Sequence, residues 1–131
     1  MQGDFGRFAP VLPAARRFIS SIQVDVLTGP HMGESREVGA GHELIIGRRS
    51  PSDWELPNEG CLSRKHFQVN AHPDHGRLID LQSTNGTVLN GEKVTEIDLQ
   101  DGDRIQCGKT IFAIKLLYSS SEPDTGSTVE F

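Results

Sequence analysis

The chain has 131 residues, 35% hydrophobic and 24% charged, which suits one ordinary core and lies outside the low-hydrophobicity, high-charge corner where chains stay unfolded. Its formal net charge of −5 argues against sequence-independent nucleic-acid binding, whose affinity comes from neutralising many phosphates with Lys and Arg. No apolar run nears the roughly 18 residues of a membrane span, and the N-terminus lacks the basic-then-apolar order of a secretory signal, so a cytoplasmic location without a membrane partner is expected.

Residues 1–18, interrupted by Pro10 and Pro13, read as a partly flexible N-terminal arm. Period-two alternation then begins: Ile22, Val24 and Val26 share one face of a first strand, and Thr28-Gly29-Pro30 ends it. Further short strands are expected at 34–38, 43–46, 67–70, 77–81, 87–89, 97–99, 103–107 and 110–118. Turn signals separate them, among them Gly39 with Gly41, Asn85-Gly86, Asn90-Gly91 and Asp101-Gly102. Strands at this spacing without helical segments between them point to an all-β sandwich or barrel. One connection is long: residues 48–63 hold Pro51, Pro57, Asn58 and Gly60, with a brief strand at 53–56, and such loops on a rigid sheet commonly carry binding residues. Trp54 in this loop is expected to anchor it on the core. Residues 119–131 read as a flexible acidic tail or linker, in which Thr125 and Thr128 are open to a kinase and are candidate ligands for this domain or a neighbouring copy.

Polar clusters stand at the strand ends: Gly47-Arg48-Arg49, Ser63-Arg64-Lys65-His66 and Ser83-Thr84-Asn85-Gly86-Thr87. If their loops meet at one end of a sandwich, guanidinium forks, hydroxyls and turn amides converge as a phosphate requires. The pieces Ile46-Gly47-Arg48, Leu62-Ser63-Arg64-Lys65-His66, Asp80-Leu81, Ser83-Thr84-Asn85-Gly86-Thr87, Leu89-Asn90-Gly91 and Leu99-Gln100-Asp101-Gly102-Asp103, in this order over residues 19–118, resemble the forkhead-associated (FHA) domain.

The resemblance implies a sandwich of about eleven mostly antiparallel strands with its binding loops at one end, recognising phosphothreonine in a segment of another protein in preference to phosphoserine. It assigns Arg48 and Ser63 to the phosphate, with Arg64 adding charge and Thr84 approaching, and gives Asn85 the peptide backbone. His66 is expected to brace the Ser63 loop. Gly47, Gly86, Asn90 and Gly91 support the site structurally, while Arg49 and Lys65 are either peripheral contacts or solvated charges. An upstream Ser/Thr kinase is implied, and neither a cofactor nor a metal. Cys61 and Cys107 read as reduced and structural.

Rival readings use the same residues. Ser63, His66 and Asp80 make a nominal nucleophile, base and orienter, but no Gly-x-Ser-x-Gly elbow surrounds Ser63 and its basic neighbours suit an anion. His72, His75, Cys61 and Cys107 lack the spacing of a zinc site. A scaffold that keeps the fold but contacts partners independently of phosphate is the remaining alternative.

Overall fold

The computed structural model describes residues 17–120; the arm before them, and the tail with Thr125 and Thr128, lie outside the described residues. Within it, Ile19–Leu117 form one compact unit. Eleven strands run in chain order: β1 (Arg17–Thr28), β2 (Ser35–Gly39), β3 (Glu43–Gly47), β4 (Trp54–Glu55), β5 (Phe67–Ala71), β6 (Gly76–Asp80), β7 (Thr87–Leu89), β8 (Glu92–Val94), β9 (Glu96–Leu99), β10 (Arg104–Cys107) and β11 (Thr110–Ser120). They make a six-stranded sheet, β2-β1-β11-β10-β7-β8, and a five-stranded sheet, β4-β3-β5-β6-β9. The short β4 pairs parallel with β3, and the other pairs with a described register are antiparallel. This is the all-β sandwich expected, and among the described residues no helix is long and apolar enough to cross a membrane.

Alternation in sequence becomes burial in space. Ile22, Val24 and Val26 of β1 join Phe112, Ile114 and Leu116 of β11, Ile46 of β3, Phe67 and Val69 of β5 and Leu78 of β6 in one core. Phe112 takes Trp54 and Phe67 edge-on, with ring centroids 6.2 and 5.2 Å away, the geometry in which the positive ring edge meets the negative face. Trp54, 1% exposed, thus anchors the long loop, and its Nε1 donates to Glu34 Oε1 at 3.4 Å. Arg36 of β2 covers the indole 5.0 Å from its centroid.

Two boundaries differ from the sequence reading. β1 begins at Arg17 and β11 reaches Ser120, so strand extends two residues into each stretch read as arm or tail. The strand β8 has no counterpart there, because Glu92 and Lys93 are exposed and no apolar alternation marks it. Turn geometry creates it: Asn90 and Gly91 carry φ of 48° and 92°, those of the tight hairpin whose twist matches its strands. Leu89 then faces Glu92, Val88 faces Lys93 and Thr87 faces Val94.

Register also decides where the loops lie. Ile46 pairs with Phe67 and Phe67 with Asp80, so the end of β3, the start of β5 and the end of β6 share one end of their sheet. Hydrogen bonds join to this end the segment leading into β7 and the start of β11.

Candidate functional site

Three loops meet at that end: β3–β4 (residues 48–53), β4–β5 (56–66) and β6–β7 (81–86). Gly47 closes β3 where the β4–β5 backbone crosses over it. A Cβ built there would lie 2.0 Å from the Arg64 carbonyl oxygen and 2.4 Å from Ser52 Oγ, so only glycine admits the crossing. Ser52 Oγ donates to that same Arg64 carbonyl at 2.6 Å. The Arg48 amide donates to the Ser63 carbonyl at 2.9 Å, which ties the residue after β3 to the residue that opens the Ser63-Arg64-Lys65-His66 segment.

His66 is fully buried and spans two of the loops. Its Nδ1 accepts the Ser63 amide at 3.0 Å and its Nε2 lies 2.8 Å from the Gly86 carbonyl. One contact needs a bare nitrogen and the other an N–H, so the ring is the neutral Nε2-protonated tautomer. Burial pushes its pKa below 6.5, against the opposing pull of the Gly86 carbonyl and the Asp80 and Glu59 charges. A neutral ring suits a brace that must hold one geometry across physiological pH.

The β6–β7 loop is built on Asp80. Its Oδ1 accepts the hydroxyls of Ser83 at 2.6 Å and Thr87 at 2.7 Å, and its Oδ2 accepts the Ser83 amide at 3.2 Å. Burial pushes the Asp80 carboxyl up, but these donors outweigh it and hold the group below the usual carboxylate range. Ser83 Oγ accepts the Gly86 amide at 2.9 Å, which closes the turn. The Thr84 amide then donates to Ser63 Oγ at 2.9 Å, and Asn85 Nδ2 donates to the Cys61 carbonyl at 3.0 Å. Ser63 Oγ uses a lone pair here, so its own hydrogen remains to be donated outward.

Arg48, Ser63, Arg64, Thr84 and Asn85 therefore stand on loops that touch one another. Arg49, Arg64 and Lys65 are exposed and Arg48 half-buried, and none of these cations makes an ion pair among the described residues. Free guanidinium donors beside a spare hydroxyl can take a compact dianion. Asn90 and Gly91 lie elsewhere, at the other end of β7. Asn90 accepts the Arg104 amide and donates to Asp103 Oδ1, both at 2.9 Å, so it holds the β7–β8 hairpin rather than the loops.

Among the described residues neither rival chemistry is assembled. His66 meets the Ser63 amide, not its hydroxyl, and its other nitrogen is spent on Gly86, while Asp80 serves Ser83 and Thr87. His72 and His75 stack on each other in the β5–β6 turn, 4.5 Å between centroids, at the end of the sheet away from Cys61. Among the described residues no three His, Cys, Asp or Glu side chains gather as a metal would need.

Sequence reasoning passed over Ser52, Glu59 and Lys93. Lys93 of β8 packs against Gly86, its Cε 2.3 Å and its Nζ 3.1 Å from the place a Cβ would take, and so brings another cation to the β6–β7 loop. The Asn90-Gly91 hairpin register would have found it. Nothing local marks Ser52 or Glu59, whose partners lie in other segments.

A sequence model of the FHA domain matches residues 44–108. A solved structure from a structural and functional analysis of phosphothreonine-dependent FHA domain interactions is 31% identical with a TM-score of 0.66, covering 73% of this chain and 96% of that one. The FhaA FHA domain, solved in complex with the intracellular domain of Rv3910, is 32% identical with a TM-score of 0.64, covering 72% of this chain and 100% of that one. The FHA domain-containing protein FhaA of Mycobacterium tuberculosis is 38% identical over 72 residues, which are 55% of this chain and 14% of that protein. The chain belongs to the FHA domain family. It spans 8 to 14% of the length of the first curated relatives it matches.

Proposed function

We propose that this chain is a phosphothreonine-dependent protein-binding module in Ser/Thr kinase signalling, with no catalytic step and no cofactor. The observation that carries the reading is the junction of the β4–β5 and β6–β7 loops, where Ser63 Oγ accepts the Thr84 amide beside cations that lack carboxylate partners among the described residues. Arg48 and Arg64 supply charge to the phosphate, the Ser63 and Thr84 hydroxyls donate to its oxygens, and Asn85 takes the peptide backbone. Arg49, Lys65 and Lys93 lie around this centre. Residues 19–118 make the binding domain. Two free thiols suit a cytoplasmic setting, and neither nucleic acid nor membrane is a partner. Two solved relatives, one from an analysis of phosphothreonine-dependent FHA domain interactions and one in complex with an intracellular protein domain, support the same reading.

Phosphate brings about −1.5 to −2 charges and each charge-assisted hydrogen bond is worth roughly 1.5–3 kcal/mol, from which the ordering of a flexible peptide subtracts. Micromolar affinity, about −8 kcal/mol, is the expected scale. Titration with a degenerate phosphothreonine library, then with matched phosphothreonine, phosphoserine and unmodified forms of its best member, tests the proposal. Phosphothreonine is expected to bind best and the unmodified peptide scarcely at all. Binding indifferent to phosphate would instead establish the scaffold alternative.

A further inference from the structure

Glu59 is a carboxylate 4% exposed, in the β4–β5 loop, that pairs with no Lys, Arg or His within 4.0 Å among the described residues. Such a group is tolerated only when it is hydrogen-bonded, and its bonds lead to the binding loops. Oε2 accepts the hydroxyl of Thr110, the buried first residue of β11. Oε1 accepts the Cys61 amide at 3.1 Å. The Cys61 carbonyl in turn accepts Asn85 Nδ2 at 3.0 Å. From the other side Gly108 presses on Cys61, since a Cβ there would come within 2.2 Å of Cys61 Cβ. The Cys61 peptide is thus clamped between a sheet strand and the Asn85 side chain.

Resting on the phosphopeptide reading above, we propose that Glu59 is a positioning residue for peptide-backbone recognition. By holding the Cys61 peptide against β11, it makes the Cys61 carbonyl select one flip of the Asn85 carboxamide. With Nδ2 turned inward, Oδ1 faces out to accept a ligand N–H, and the second Nδ2 hydrogen is available to a ligand carbonyl. The requirement is geometric rather than electrostatic. Glutamine can replace it: its Oε1 accepts the Cys61 amide, and its Nε2 donates to a Thr110 hydroxyl that has rotated to accept.

The test combines calorimetric titration of the best library phosphopeptide with NMR of the Asn85 side-chain amide in the ligand-free domain. Glu59→Gln is expected to bind within about twofold of wild type, and Glu59→Ala about tenfold more weakly. In an Asn85→Ala background, Glu59→Ala is expected to add almost nothing, because both act through one group. The Asn85 Nδ2 resonances shift in Glu59→Ala without ligand and stay in place in Glu59→Gln. Losses that add in the double variant, or unmoved resonances in Glu59→Ala, overturn the proposal. If Glu59→Ala does not fold, Thr110→Val removes the same tether from the strand side and is read the same way. If the wild type binds no phosphopeptide, the binding reading fails, while the ligand-free resonances still decide the role of Glu59.

Discussion

Replacing Gly47 by alanine tests the loop crossing directly. The added Cβ would stand 2.0 Å from the Arg64 carbonyl oxygen and 2.4 Å from Ser52 Oγ, so relief to an ordinary contact requires backbone movement of more than about 1 Å. Backbone in this position has little freedom. The Arg64 carbonyl holds Ser52 Oγ at 2.6 Å, and the adjoining Ser63 carbonyl holds the Arg48 amide at 2.9 Å. Pushing the strand of loop away strains or breaks both bonds, worth about 1 kcal/mol each, on top of an overpacking cost of about 1–3 kcal/mol. A loss of about 3–5 kcal/mol is expected, lowering Tm by roughly 12–40 °C for a domain of this size. Urea denaturation followed by Trp54 fluorescence measures it. The variant is also expected to bind phosphopeptide poorly under conditions where it remains folded, because Ser63 moves with Arg64. A Gly47→Ala domain within about 0.5 kcal/mol of wild type, the range of ordinary surface changes, would refute the argument.

Arg48→Ala is expected to abolish phosphopeptide binding in titration calorimetry while Tm changes by no more than about 2 °C, since the guanidinium makes no ion pair among the described residues and surface changes are small; retained affinity would remove Arg48 from the site. His31 of the β1–β2 turn sets a pH dependence, because both ring nitrogens meet acceptors, Nε2 the Pro57 carbonyl and Nδ1 the Glu34 carboxylate. The Pro57 bond first, then the Glu34 bond and the Glu34 and Glu59 charges, raise its pKa above 6.5 despite partial burial. The stability it contributes is therefore complete below the unfolded value near 6.5 and is lost as pH rises through the higher folded value. The stability difference between wild type and His31→Gln in urea melts at several pH values should shrink in that direction, and a difference that grows with pH contradicts the assignment. Burial pushes the Cys107 thiol up to about 12, so Cys107 is expected to resist a thiol reagent at pH 8 until the domain unfolds, as mass spectrometry of labelled peptides would show.

Much of this architecture was written in local pattern. Alternating residues such as Ile22, Val24 and Val26 can satisfy a two-residue period only by turning one face inward, so strands and core residues are readable wherever one face is buried. The strand β8 was not readable from apolar pattern because Glu92 and Lys93 are exposed; the Asn90-Gly91 turn was its only mark. In the site, Gly47-Arg48, Ser63-Arg64-Lys65-His66 and Ser83-Thr84-Asn85-Gly86-Thr87 stood out because phosphate chemistry needs those residue types.

Residue types and their order determine that this chain forms short strands around one core and carries cationic and hydroxyl groups between them. Only the tertiary structure decides which of those groups meet: that His66 joins Ser63 to Gly86, that Glu59 reaches Thr110 across 51 positions of sequence, and that Asn90 stands apart from the loops. The reason is that a hydrogen bond between distant segments depends on sheet register and on which loop crosses which strand, and these follow from the packing of the whole core rather than from the residues beside the bond.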